Sequence, residues 1–231
     1  MTDWRIDERD FAGAEHLDAD YVARYEAKAQ FDPTEDVAAL EALGMGPAST
    51  VIDLGAGTGV FAFAAAHTGA HIRAVDVSPA MVDAMRQRVD AGGVANVTAI
   101  EGGFLSYDHD RPPVDFVFSR NALHQLPDFW KVVALRRVAA MIKPGGIFRL
   151  RDLVFDMQPD EVENAMDAWL ANAWDDPATG YTADDLAEHL RTEYSTFTWL
   201  LEPMLERVGF EILDRTDPPT LFPCYTLRRG N

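Results

Sequence analysis

A short β-branched run ending in closely spaced glycines, Thr50-Val51-Ile52-Asp53-Leu54-Gly55-Ala56-Gly57-Thr58-Gly59, constrains the fold of this chain more than any other feature. Val51, Ile52 and Leu54 suit a strand buried on both faces. Val60 to Thr68 then reads as a helix, stopped at Gly69. A strand that turns through glycines straight into a helix brings backbone N–H groups and a helix N-terminus close to a ligand.

The alternation continues downstream. Strands are predicted over His71 to Val75, Asn96 to Ile100, Val114 to Phe118 and Ile147 to Arg151, with helices over Met81 to Ala91 and Asp128 to Ile142. Ser78-Pro79 supplies an N-cap and a first-turn proline, and Pro144-Gly145-Gly146 is a stop signal. Upstream, Asp20 to Gln30 and Thr34 to Leu43 read as helices. Helix-length segments between strands imply right-handed crossovers, hence an α/β fold with a doubly wound, mostly parallel sheet and helices on both faces. After Asp152 the regularity lapses. Asp160 to Asn172, Thr182 to Thr192 and Ser195 to Val208 suit helices, and Phe210 to Asp214 and Cys224 to Leu227 suit two closing strands. The 231 residues fit one domain: an N-terminal lid over 1–31, a cofactor-binding core over 32–152, a helical cap insertion over 153–200 and closing strands over 201–231.

Composition limits the partners. Twenty Lys and Arg stand against 38 Asp and Glu, a formal net charge of -18. Nucleic-acid affinity comes largely from cationic contacts with phosphate, so DNA and RNA are poor candidates, and the acidity reads as a solvated surface. The single cysteine, Cys224, excludes an internal disulfide framework and a cysteine-rich zinc site. No basic-then-apolar leader and no apolar run of roughly 20 residues is present, so the expected location is the cytoplasm, with no membrane partner.

The first loop carries the chemistry. Its spacing, Gly55-x-Gly57-x-Gly59 followed by Val60, departs from the dinucleotide fingerprint, whose third glycine comes one position later. Asp53 at its mouth would repel a pyrophosphate but attract a cationic ligand. Asp76, at the end of the second strand, offers two acceptor oxygens to a pair of ribose hydroxyls. An NAD-dependent oxidoreductase would use such an acid as well. Ser78 already fills the cap of the next helix, which weakens a purely structural role for Asp76.

Val51 to Gly59 resembles the first motif of the class I S-adenosylmethionine-dependent methyltransferases. Ala74-Val75-Asp76-Val77-Ser78-Pro79-Ala80-Met81 is similar to their second-strand motif. Asp115 to Ser119, continuing through Leu123-His124, resembles their fourth-strand segment, and Ile142 to Gly146 the approach to the fifth. The resemblance spans roughly Asp32 to Asp152. It implies a Rossmann-like, seven-stranded sheet and S-adenosyl-L-methionine as cofactor, with S-adenosyl-L-homocysteine as product. It further implies that Gly55 and Gly57, with Ala56 and Gly59 in the same loop, approach the methionine part, and that Asp53 lies near its ammonium. Asp76 would hold the ribose, Val77 and Met81 would flank the adenine, and Ser119 and Arg120 would line the methyl side. Gly103 stands where the family often has an aspartate for the adenine amine, which leaves that contact to Phe104 and backbone.

Methyl transfer from a sulfonium has an activated leaving group, so no metal is required, and alignment is the main task. His124 is the candidate general base, with Asp152, at the end of the fifth strand, facing the same cleft. Alternatively, His124 packs at a helix start, and Asp152 caps or pairs with Arg149 or Arg151. Tyr21, Tyr25, Tyr194 and Trp199 are candidate acceptor contacts, with ordinary packing the competing role. Ser119-Arg120-Asn121-Ala122 does not resemble the Asn/Asp-Pro-Pro-aromatic segment of enzymes that methylate adenine or glutamine nitrogens. A small-molecule acceptor reacting at O, N or C is therefore expected, ahead of a tRNA-modifying enzyme or a protein that binds the cofactor without catalysis.

Overall fold

The computed structural model describes residues 4–17, 22, 31–92, 94–177, 179–216 and 222–231. The expected helix Asp20 to Gln30, and with it Tyr21 and Tyr25, lies outside the described residues apart from Val22. A seven-stranded sheet forms the centre, built from β1 (Thr50–Leu54), β2 (His71–Asp76), β3 (Val97–Glu101), β4 (Val114–Arg120), β5 (Ile142–Arg151), β8 (Phe210–Thr216) and β9 (Cys224–Arg229). Their order is β3-β2-β1-β4-β5-β9-β8, with β9 antiparallel to both of its neighbours and the other pairs parallel.

Helices α1 (Thr34–Ala42), α2 (Val60–Ala66) and α3 (Pro79–Gly92) cover one face, where Leu40, Phe61, Ala62 and Met85 meet Val51, Ile72 and Phe118. Helices α4 (Asp128–Met141) and α7 (Thr198–Arg207) cover the other, where Leu135, Val138, Leu201 and Leu205 pack on Ile52, Val117 and Phe148. The central strands are buried on both sides, which is why their sequences are continuously apolar rather than alternating.

The sequence places most elements to within a few residues; three differences have physical causes. Pro144-Gly145-Gly146 does not separate helix from strand. It lies inside β5, where the register with β4 shifts between Val114 and Phe116 and Gly145 takes a positive φ of 79°. Ser119 and Arg120 belong to β4 rather than to a following loop. Ser195 to Val208 is not one helix: Thr196-Phe197 (β7) pairs in parallel with Val154-Phe155 (β6) before α7 begins. Between β6 and β7 lie the two cap helices, α5 (Val162–Ala171) and α6 (Ala183–Thr192), so the small ribbon closes the base of the cap.

Candidate functional site

The winding direction reverses between β1 and β4, and the carboxyl ends of these two strands flank the cleft where ligands of such sheets bind. Gly55, with φ of 72°, starts the loop after β1; a Cβ there would overlap that of Ala122 in the loop after β4. Only glycine lets the two loops approach this closely. Asn121, also at this crossing, is a non-glycine residue with positive φ, 48°, and its N–H donates to Arg151 O at 2.9 Å.

From this point a cleft of about 1030 Å³ opens. Asp53, Gly55, Ala56, Gly57 and Thr58 form its floor; Trp169, Trp174, Tyr181 and Tyr194 form an aromatic wall on the cap side, and Phe11 and His16 of the N-terminal segment close a third side. Asp53 is 2 % exposed and its Oδ2 has no hydrogen-bond partner, as is true of the buried hydroxyls of Thr58 and Ser119. Burial, and next the charge of Asp76, push the Asp53 carboxyl well above the usual carboxylate range, against the hydrogen bond from the Ala62 amide. A buried carboxylate oxygen without a partner is costly, and a cationic ligand would reduce that cost.

Asp76 is more committed than expected. Its Oδ2 accepts from Gly57 N at 2.7 Å and its Oδ1 from Ser78 N at 2.9 Å, so it braces the glycine loop and the start of α3 at once. Ser78 nonetheless acts as cap, its Oγ accepting from Met81 N at 3.3 Å and donating to His16 O at 2.7 Å. Burial raises Asp76 to about 6, with the two backbone amides pulling the other way. Each oxygen keeps acceptor capacity for a hydroxyl.

Gly103 is explained by Glu8. A side chain at 103 would collide with the Glu8 carboxylate, which is buried and accepts from Leu105 N at 2.9 Å, Ser106 N at 3.0 Å and Ser106 Oγ. A carboxylate thus occupies the place beside Gly103 after all, delivered from the N-terminal segment. Nothing in the local sequence signals this. Val77 lies in a neighbouring depression lined also by Glu8 and Glu101, while Met81 and Phe104 are buried in the core. Arg120 lines the main cleft, its guanidinium 4.0 Å from the Phe31 ring centroid and 3.9 Å from Asp36 Oδ2.

On the acceptor side, His124 follows β4 in a short helical turn and is 5 % exposed. Its Nδ1 lies 2.5 Å from Asp152 Oδ1, and Asp152 Oδ2 accepts from the His124 N–H at 3.1 Å. Asp152 does not pair with Arg149; that guanidinium donates to Asp36 at 2.6 Å and to Thr226 at 3.0 Å. On its other side His124 Nε2 lies 2.9 Å from Glu193 Oε2, and Glu193 also binds His189 Nδ1. Burial alone would lower His124, but Asp152 and then Glu193 outweigh it and hold the ring at about 9. Burial acts oppositely on Glu193, yet the two histidines hold it below the usual carboxylate range.

Glu193 and His189 were missed in the sequence. Their i, i+4 spacing at the end of α6 is the available signal, and ordinary helix pairs share that spacing. The capping box of Thr182 and Asp185 starts that helix, and two bonds latch its end to the core: Tyr194 N donates to His124 O at 2.9 Å, and buried Lys131 Nζ donates to Tyr194 O. Tyr194 lines the cleft. Trp199 does not: its ring stacks on Phe197 at 5.0 Å and its Nε1 donates to Met157 O at 3.2 Å.

The sheet order and the glycine crossing at the switch point together define a Rossmann-like fold with its cleft at the carboxyl ends of β1 and β4. A family model described as a methyltransferase domain matches residues 51–146, so this stretch of the chain is similar to methyltransferase domains. It is similar to a cypemycin N-terminal methyltransferase of Streptomyces sp, 38 % identical over 99 residues, which are 42 % of this chain and 39 % of that one. It is likewise similar to a ribosomal protein L11 methyltransferase of Symbiobacterium thermophilum, 32 % identical over 54 % of this chain and 38 % of the relative. The chain thus spans about two fifths of the length of these relatives. Its fold matches the magnesium protoporphyrin IX methyltransferase of Synechocystis PCC 6803, solved with bound S-adenosylmethionine, at a TM-score of 0.67 and 15 % identity, covering 99 % of this chain and 100 % of that one. Among the described residues, no helix is long and apolar enough to cross a membrane.

Proposed function

We propose that the protein transfers the methyl group of S-adenosylmethionine to a small-molecule acceptor held between the glycine loop and the helical cap. One observation carries this reading: the cleft is continuous from Asp53, whose Oδ2 is buried without a partner, to the aromatic wall of the cap. Asp53 would meet the ammonium, Gly55 to Gly59 the methionine backbone, and Asp76 the ribose. Val77, Met81 and Phe104 would shape the adenine site, with the Glu8 carboxylate taking the acceptor role that Gly103 lacks. Ser119 and Arg120 would border the methyl group. Attack occurs in line, forming the bond from acceptor to carbon as the carbon–sulfur bond breaks, and the electron pair leaves on sulfur as neutral adenosylhomocysteine. The transfer itself needs no metal. We assign activation of the acceptor to the His124–Asp152 pair. Because the ring is protonated while Glu193 holds it, His124 becomes a base only when the acceptor displaces Glu193.

The single cysteine, buried and free, supports a reducing, cytoplasmic setting, as a proposal. A protein acceptor is the second reading, favoured by the likeness to the L11 methyltransferase. The net charge of -18 disfavours tRNA, and Asp53 disfavours the pyrophosphate of NAD. Calorimetry with adenosylmethionine and NAD, then transfer of labelled methyl to metabolite and protein fractions, separates these. Absence of adenosylmethionine binding overturns the proposal, and label confined to proteins replaces its acceptor.

A further inference from the structure

We propose that His124, His189 and Glu193 form a site for a divalent first-row transition-metal ion of the zinc or cobalt type, at the cap side of the cleft. Each of the three offers one ligand atom within 4.8 Å of the other two, Glu193 Oε2 contacts both His124 Nε2, at 2.9 Å, and His189 Nδ1, and the two imidazole centroids are 5.4 Å apart. Donors around a tetrahedral ion with bonds near 2.0–2.1 Å stand about 3.3 Å apart, so small side-chain rotations suffice to admit one. Both histidines are buried, and all three residues line the cleft.

The outer groups make this more than an ion pair. A metal-binding imidazole needs its far nitrogen held by a partner that fixes ring and tautomer. Asp152 does this for His124, at 2.5 Å from Nδ1. For His189 the Ser195 hydroxyl lies 2.7 Å from Nε2 and, able to donate or accept, serves either tautomer. Without an ion, Glu193 takes hydrogen bonds from the two near nitrogens; an ion would take the place of those protons. Two imidazoles and one carboxylate suit zinc, cobalt or iron(II), whereas magnesium and calcium prefer oxygen alone. Three protein ligands leave coordination positions open to the cleft. Resting on the reading of this cleft as the acceptor site, the acceptor class is a hydroxyl-bearing molecule: an ion here would replace His124 as the activating group, with Glu193 staying in place, by acidifying the bound O–H so that its proton passes to solvent.

The test is direct titration of the chelator-stripped full chain with Co²⁺, followed by its visible absorption band, with Zn²⁺ as competitor. One equivalent of Co²⁺ is expected, displaced by Zn²⁺. His189→Ala and Glu193→Gln should each weaken binding by more than about tenfold, and Ser195→Ala by about tenfold. Ser195→Ala decides the matter if the ligand variants do not fold. Wild-type protein that takes up no Co²⁺, or variants that bind it as wild type does, would overturn the site. Calorimetry with adenosylmethionine on the same samples tests the cofactor reading separately: cofactor binding without Co²⁺ removes only the ion, and Co²⁺ binding without cofactor removes only the proposed reaction.

Discussion

Asp53→Asn should raise stability and lower cofactor affinity at the same time. The carboxyl is 2 % exposed, its Oδ2 has no partner, and its nearest electrostatic neighbour is another acid, Asp76. Replacing such a group by a neutral isostere removes a penalty of about 1–3 kcal/mol. In a chain of this size each kcal/mol moves the melting temperature by about 2–4 °C, so the variant should melt about 2–12 °C higher at pH 8. The sign depends on pH. A carboxyl whose folded-state pKa is raised contributes stability below its unfolded pKa and loses it as pH rises through the folded value. The advantage of asparagine should therefore shrink towards pH 4, where both side chains are neutral. The same substitution deletes a charge-assisted hydrogen bond to the cofactor ammonium, worth about 1.5–3 kcal/mol, or about 10- to 150-fold in affinity. Differential scanning calorimetry at pH 4 and pH 8, with titration calorimetry against adenosylmethionine, reads both effects. Unchanged affinity refutes the role of Asp53 in binding; a lower melting temperature at pH 8 refutes the account of its burial.

Asp76 gives a pH test of its own. Because burial raises it to about 6, it is largely protonated at pH 5 and ionised at pH 7, and ribose hydroxyls need its ionised acceptor oxygens. Cofactor affinity should fall about tenfold between pH 7 and pH 5, and Asp76→Asn should lose that slope; a flat wild-type profile counts against the assignment. Gly55→Ala places a side chain at a φ of 72° and into Ala122, and thermal melts should show a loss of about 2–4 kcal/mol. A variant as stable as wild type would mean that the loops do not meet as described. Lys131→Met leaves the Leu126 and Tyr194 carbonyls without their buried donor, costing about 2–4 kcal/mol. Hydrogen exchange at Tyr194 N–H should quicken, and an unchanged rate would show that the latch does not depend on Lys131.

The glycine-loop half of the candidate site was legible because it is written locally. Asp53, the glycines and Asp76 each stand within a residue or two of a strand end, and strand ends follow from apolar runs and stop signals. The sheet was legible for the same reason, down to the two closing strands. Limits appeared where pairing partners decide. Thr196-Phe197 is too short to announce a strand and becomes one only against Val154-Phe155. Pro144-Gly145-Gly146 reads as a stop in any local window, and only the shifted register of β4 shows it as an irregularity within β5. Asp152 reads as facing the cleft with His124, and a pairing with Arg149 is the local alternative; Asp36, from the helix before β1, takes Arg149 and leaves Asp152 to His124.

The acceptor half could not be read in this way, and the reason bears on what can vary. His124 sits on the loop after β4, opposite the glycines, so its backbone is fixed by the same crossing that fixes the cofactor loop. His189, Glu193 and Tyr194 arrive from the cap, and their register against His124 depends on the ribbon of β6 and β7 and on the latch from Tyr194 N to His124 O. Changes within α5 and α6 can therefore reshape the acceptor wall while leaving Asp53 and Asp76 untouched, whereas changes at Asn121 to Gln125 disturb both halves. Structural likeness at 15 % identity extends over the core and the cap alike, yet it reports only the path of the backbone. On the proposed function the acceptor is selected by side chains on the cap, and in this chain His189, Glu193 and Tyr194 converge on His124.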